Sequence, residues 1–302
     1  MKNVVIVVDE KKCKEIEKFY SIYAKENKNE YILFFAKKEG LTVSIFDNKK
    51  GQQFKALFTG EYALIEAKKW DKNASEVKKE KKTINKSNWL CLDDQIGSDE
   101  VGTGDFVGPI VVCAAYVKQS DIPLLKQIGV DDSKRLKDED ILRVGKTLLE
   151  NIDYSILRLE NEKYNSLIDE GKNINEIKAI MHNKALLNMK NKHHVKNIFV
   201  DEFVGEEKYY DYLVKQDEIL KGITFKTKGE TYYPSVAAAS IIARYIFLKT
   251  MDELKEKYGV EIPFGASKKV DTFVKNIYKI YGENEAKKIV KKNFANYSEI
   301  FK

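Results

Sequence analysis

The residues of this chain best suited to chemistry are carboxylates. The segment IGSDEVGTGDFVGP (96–109) carries two adjacent acids, Asp99 and Glu100, and then glycines at 102, 104 and 108. A second acid pair, Asp201 and Glu202, directly follows the apolar run KNIFV (196–200). A third acid position, Glu230, stands just ahead of a long run of small and apolar residues. A carboxylate at the end of a buried strand is costly unless it is paired, hydrated or bound to metal. If these strand ends meet at one sheet edge, the acids repel one another and need a cation. Oxygen ligands of this hardness select Mg²⁺ or Mn²⁺. Two such ions can activate a water and stabilise the leaving oxygen of a phosphodiester. Taken singly, each acid is better explained as a surface cap or an ion-pair partner. The set, beside a glycine loop, makes the case for a site.

The glycine loop has two readings of its own. Gly102, Thr103 and Gly104 can form a simple tight turn. Alternatively, bare backbone lets N–H groups approach a nucleic acid, with the Thr103 hydroxyl close by. GTGDFVG is not a dinucleotide fingerprint and lacks the lysine of a P-loop, so no small-molecule cofactor is expected. No His, Cys or Ser nucleophile stands in an evident arrangement. Cys13, Cys91 and Cys113 are isolated and show neither metal spacing nor a disulfide framework, which points to a reducing cytoplasm. The histidines are His182, His193 and His194. The last two are adjacent and cannot share a helix face, which disfavours zinc.

Those side chains must be positioned by something. At 302 residues, the length suggests two domains. With 43% hydrophobic and 33% charged residues, the chain is neither disordered nor fibrous. No apolar run approaches the ~18 residues of a membrane span. The short apolar run in MKNVVIVVDEKK falls short of a secretory signal. The net charge of +6 is uneven: residues 1–90 hold 20 Lys, no Arg and 13 acids, leaving the remainder close to neutral. A basic first third reads either as an electrostatic anchor or as a well-solvated surface.

Ile16, Phe19, Tyr20 and Tyr23 fall at helical spacing and predict a helix over 9–26. YILFFA (31–36), LTVSIF (41–46) and FKALFT (54–59) predict antiparallel strands separated by turns. In these strands Phe35, Phe46, Phe54 and Phe58 are expected in the core. A second helix is expected over 61–70. Residues 71–88 lack apolar periodicity and read as a linker. Beyond Trp89, strands at 108–117, 196–200 and 223–230 alternate with helices at 138–151, 175–192, from Pro234 onward, and at 269–281. That alternation predicts an α/β domain with a central sheet.

At this level of detail the chain resembles the type 2 ribonucleases H of prokaryotes, and within them the ribonuclease HIII branch. IGSDEVGTGDFVGPIVVCAAYV (96–117) resembles the family's first motif, and GVDDSKRL (129–136) its second. YNSLIDEGKNINEIKAIMHNKAL (164–186) is similar to the helical stretch that follows. VDEF (200–203) carries the third acid. KGETYYPSVAAASIIAR (228–244) and IPFGASKKVD (262–271) complete the series. GTG rather than GRG, and Glu rather than Asp at 230, separate this branch from its HII sister.

The resemblance implies an RNase H-like catalytic fold over 89–302, with a central mixed sheet and flanking helices. It also implies an α+β substrate-binding domain over 1–70 that resembles half of a TATA-box-binding protein. By the same likeness Asp99, Glu100, Asp201 and Glu230 form the catalytic set and hold two Mg²⁺ or Mn²⁺ ions. Glu202 is then a neighbour, a choice that residue types alone leave open. Gly102, Thr103 and Gly104 are implied to read ribose 2′-OH groups, which distinguish RNA from DNA, and Ser133 and Lys134 to meet phosphate. The implied activity is endonucleolytic cleavage of the RNA strand of an RNA–DNA hybrid to 5′-phosphate ends by a cytoplasmic monomer. The alternatives are an HII-type enzyme acting at single ribonucleotides in duplex DNA and a non-catalytic hybrid-binding protein. The first 90 residues contain no Arg for bidentate base readout, which favours sequence-independent, salt-sensitive binding.

Overall fold

The computed structural model describes residues 3–27, 32–48, 53–75, 89–130 and 136–301. The chain divides into two compact units, 1–85 and 86–302. Ser133, Lys134 and most of the expected linker, residues 76–88, lie outside the described residues.

The first unit comprises β1 (Asn3–Asp9), α1 (Glu10–Tyr20), β2 (Ile32–Lys38), β3 (Leu41–Asn48), β4 (Gln53–Gly60) and α2 (Ala63–Lys68). Its sheet is antiparallel, in the order β1-β4-β3-β2. Alternation along β1 buries Val4, Ile6 and Val8 against Ile16 and Tyr20 of α1 and Ala63 and Ala67 of α2. Val5 and Val7 face the other way and stay exposed. The same parity divides the phenylalanines. Phe58 is fully buried and Phe54 packs on the same core. Phe35 and Phe46 lie on the opposite face of the sheet, so the expectation that all four are core is half right. Asp9 accepts a hydrogen bond from Lys12 N at 2.8 Å and starts α1. That helix ends at Tyr20 and passes into a 3-10 turn at Ser21–Tyr23, short of the expected 26.

The second unit comprises β5 (Gln95–Val101), β6 (Ile110–Val117), α3 (Ile122–Ile128), α4 (Asp138–Asn151), β7 (Asp153–Leu159), α5 (Asn161–Asp169), α6 (Ile174–Lys192), β8 (Asn197–Asp201), α7 (Glu206–Leu213), β9 (Thr224–Lys226), α8 (Pro234–Tyr258), α9 (Lys268–Tyr281), α10 (Glu283–Lys288) and α11 (Ala295–Ile300). Its mixed sheet runs β7-β6-β5-β8-β9, with the first three strands antiparallel and β5-β8-β9 parallel. β6 is buried along its whole length because helices cover both faces. Val111, Cys113 and Ala115 share one core with residues of α8, α4 and α9, whereas Val112, Ala114 and Tyr116 share another with residues of α6 and α7.

α8 approaches β5 closely at one point. A Cβ on Gly97 would stand 2.4 Å from both Ser235 Oγ and Val236 N, so only glycine permits this contact. The contact sets the start of α8 beside the strand that carries Asp99 and Glu100.

Candidate active site

β5 alternates like any strand, and that decides how its two acids are used. Asp99 lies opposite Cys113 and faces α8; Glu100 lies opposite Val112 and faces α6. Each carboxylate therefore meets a different helix.

Glu100 is held by a lysine and a histidine. Lys178 Nζ donates to Oε1 at 3.0 Å, and His182 Nε2 lies 2.9 Å from Oε2. Lys178 and His182 are one turn apart on α6 and so share a face. The other ring nitrogen of His182 lies 2.7 Å from Ser98 Oγ, which fixes the ring plane. Phe203 backs both groups, stacking on the imidazole at 5.2 Å and lying 4.0 Å beneath the Lys178 ammonium. Burial pushes the Glu100 carboxyl up, but the hydrogen bonds and charges of His182 and Lys178 outweigh it and hold the group below its ordinary value.

Asp99 is 8% exposed. Its Oδ1 accepts from the Glu100 amide at 2.7 Å, and Ser240 of α8 adds a hydrogen bond. Burial first, then repulsion from Glu100 and Asp201, push this carboxyl well above the ordinary range. Asp201, at the end of β8, accepts from Gly229 N at 2.7 Å. Burial raises it too, the Gly229 bond opposes this, and the Glu230 and Glu100 charges add to the rise. Glu230 sits in a 3-10 turn, Gly229–Thr231, just before α8. It lines a cleft of about 230 Å³ together with Glu100, Ser240, Arg244 and Asp138. Glu202, by contrast, turns outward and accepts from Thr227 Oγ1 at 3.0 Å.

The four acids thus lie within electrostatic reach of one another. Among the described residues, however, no three His, Cys, Asp or Glu side chains converge closely enough to hold an ion as they stand. The reason is visible in their partners: Glu100 is turned to α6 and Asp201 to a backbone amide. The donor set still fits a hard divalent cation. Every candidate ligand is a carboxylate oxygen, and Asp99 carries a repulsive burden that a cation relieves.

The glycine loop follows β5 directly. Gly102 is buried at φ +90°, and a Cβ there would stand 2.2 Å from Pro109 O. Gly104 is exposed and a Cβ on it would meet nothing. Thr103 between them is half-buried.

Sequence reasoning missed the partners of the acids. Lys178 and His182 carried a usable signal, since they are one helical turn apart. Ser240 is the lone hydroxyl in AAASIIA (237–243), another usable signal. Arg244 gives none in the sequence. It is fixed in the cleft by three hydrogen bonds to Asp138 and lies over Phe247 and Phe264.

Comparison with known proteins agrees with this geometry. A family model described as ribonuclease HII matches residues 96–297, and a domain of unknown function matches 3–83. Ribonuclease HIII of Bacillus mycoides is 40% identical over 280 residues, 89% of this chain and 88% of its own. Ribonuclease HIII of Listeria monocytogenes is 37% identical over 309 residues, covering 100% and 99%. The crystal structure of Bst-RNase HIII in complex with Mn²⁺ is 33% identical, with a TM-score of 0.68 over 99% of this chain and 97% of that one. The acid motifs, the mixed sheet that carries them and this likeness over both units place the chain in the ribonuclease HIII family.

Proposed function

We propose that this chain is an endonuclease that hydrolyses the RNA strand of RNA–DNA hybrids, leaving 5′-phosphate and 3′-hydroxyl ends. The observation that carries this reading is Asp99: a buried carboxylate set among other acids at the ends of two parallel strands, next to a loop of bare backbone. Asp99, Glu100, Asp201 and Glu230 would hold two Mg²⁺ or Mn²⁺ ions. Bound there, such ions supply Lewis-acid stabilisation of the phosphate and a water of lowered pKa. The presence of Mn²⁺ in the Bst-RNase HIII structure supports this choice.

The chain's own residues have distinct tasks. Lys178 and His182 keep Glu100 ionised, and Ser98 and Phe203 keep His182 in place. Ser240 orients Asp99, and Gly229 N orients Asp201. Gly102, Thr103 and Gly104 present backbone and a hydroxyl to the ribose 2′-OH groups, and Ser133 and Lys134 contact phosphate. The N-terminal domain expected over 1–70, within the first unit, holds the hybrid. The sheet face that carries Val5, Val7 and Leu33 is open for this, with Lys37 and Lys55 among its residues. We further propose a cytoplasmic monomer, as the family likeness suggests.

The test is cleavage of two substrates in Mg²⁺ or Mn²⁺: a long RNA–DNA hybrid and a DNA duplex containing one ribonucleotide. Repeated cuts along the hybrid RNA are expected. Cutting only at the single ribonucleotide would make this an HII-type enzyme. Tight binding of the hybrid without cleavage would leave a binding protein.

A further inference from the structure

Lys291 is a charged side chain with no exposed surface. It lies in the segment between α10 and α11. Its ammonium donates to two main-chain carbonyls of the glycine loop, Asp105 O at 2.8 Å and Gly108 O. The backbone reinforces this. Lys291 N donates to Phe106 O at 3.0 Å, Gly108 N donates to Ile289 O at 3.1 Å, and Val107 and Val290 form an antiparallel bridge. A third segment closes the far side. Gly265 N donates to Asp105 Oδ1 at 2.6 Å, and Phe106 N donates to Gly265 O at 2.9 Å. Asn165 of α5 fixes the clamp from behind, donating to Val290 O at 2.9 Å and accepting from Lys292 N at 2.8 Å.

A buried ammonium is a costly way to fasten a turn, because desolvation works against its charge. Burial indeed lowers the Lys291 ammonium to about 7, against the opposing pull of Asp105. A hydrophobic residue would fill the same space more cheaply, but it could not bond both carbonyls. These carbonyls flank Phe106 and Val107, just after Gly104. Together they fix the stretch that carries the GTG backbone away from β5.

We infer that Lys291 is a positioning residue for hybrid recognition, holding the 102–108 loop in the shape that meets the RNA strand. The inference rests on the proposal above that Gly102–Gly104 contacts ribose. Lys291 touches neither substrate nor the acid cluster. Its loss should therefore weaken substrate engagement more than the chemical step.

The test is the split between KM and kcat for hybrid cleavage in two variants. Gly104→Ala disturbs nothing in the protein, because a Cβ there meets no atom. It probes only whether the loop touches substrate. Lys291→Met keeps the side-chain bulk and removes both bonds to the loop. Each should raise KM for the hybrid roughly tenfold, with kcat at saturation nearly unchanged. A variant that is merely less stable would instead lower apparent kcat through its active fraction and leave KM alone.

If Gly104→Ala raises KM and folded Lys291→Met does not, the clamp is wrong and the loop reading stands. If neither raises KM while the enzyme cleaves normally, the loop reading fails and the clamp falls with it. Should Lys291→Met not fold, Asn165→Ala loosens the same segment from outside and should raise KM less. An unchanged KM in that variant would overturn the inference.

Discussion

Glu66 and Asp99 are both buried carboxylates, and their surroundings treat them in opposite ways. Glu66, in the first unit, accepts from Tyr20 OH at 2.5 Å and pairs with Lys38 at 2.8 Å and Lys69 at 3.0 Å. Burial pushes its carboxyl up, but the bonds from Lys38, Tyr20 and Lys69 outweigh it and bring it to about 2. Asp99, in the second unit, has neighbouring acids instead of cations, and its carboxyl is pushed well above the usual range. The first arrangement spends a charge on holding a fold together. The second keeps a charge under strain, which is what a site awaiting a cation requires.

The sharpest way to break this comparison is Asp99→Asn. It should reduce hybrid cleavage by about three orders of magnitude or more while leaving hybrid binding largely intact, on the scale of losing a central electrostatic element. The same variant should melt higher than wild type in buffer free of divalent cations. The sign follows from the raised carboxyl. Near neutral pH, ionisation of Asp99 favours the unfolded chain, and asparagine cannot ionise. The gain should be a few degrees, about 2–4 °C per kcal/mol for a domain of this size. Unchanged turnover, or a lower melting temperature, would show that Asp99 is structural after all.

Glu66→Gln tests the other side. At pH 7 it should destabilise the first unit by about 1–3 kcal/mol, read from hydrogen exchange of the β1–β4 amides, because it removes the charge that Lys38 and Lys69 face. The contribution of Glu66 is present above its ordinary value of 4.5 and disappears as pH falls toward about 2. The gap between wild type and variant should close over that window. A gap that persists below it would mean packing, not charge, holds the residue.

Glu100 lies between the two extremes, since it is paired like Glu66 but placed like Asp99. Lys178→Met should slow hybrid cleavage by roughly tenfold, the usual size of an effect on a residue that orients a metal-site carboxylate. No change at all would leave His182 as the only partner that matters.

Much of the second unit could be read from residue types. β6 and β8 are short apolar runs, α4 and α6 match their expected spans within a residue, and Pro234 marks the start of α8. The failures have physical causes. β1 carries exposed Val5 and Val7 between buried neighbours, so no apolar–polar alternation betrays the strand. α10 buries only Ala286 and otherwise carries exposed ion pairs such as Glu283–Lys287, so its sequence resembles a charged tail. In the site, the acids are legible because carboxylates beside buried strands are anomalous. Their partners are not, because α6 buries residues on nearly every side and a lysine within it reads as a solvated one. Choosing Asp201 over Glu202 needed a family likeness. Its physical basis, one carboxylate facing Gly229 N and the other Thr227, exists only once the strands are assembled.

The bridge between Val107 and Val290 also bears on how the protein is made. Asp105 and Lys291 lie 186 residues apart in sequence. At ribosomal rates of about 5–20 residues per second, Lys291 is added roughly ten to forty seconds after the loop it fastens. The strands that bear the acids emerge earlier. A nascent chain can therefore assemble its first unit and its second sheet while the glycine loop is still unfastened, so a growing polypeptide would acquire the loop's fit to the RNA strand later than the rest of its binding surface.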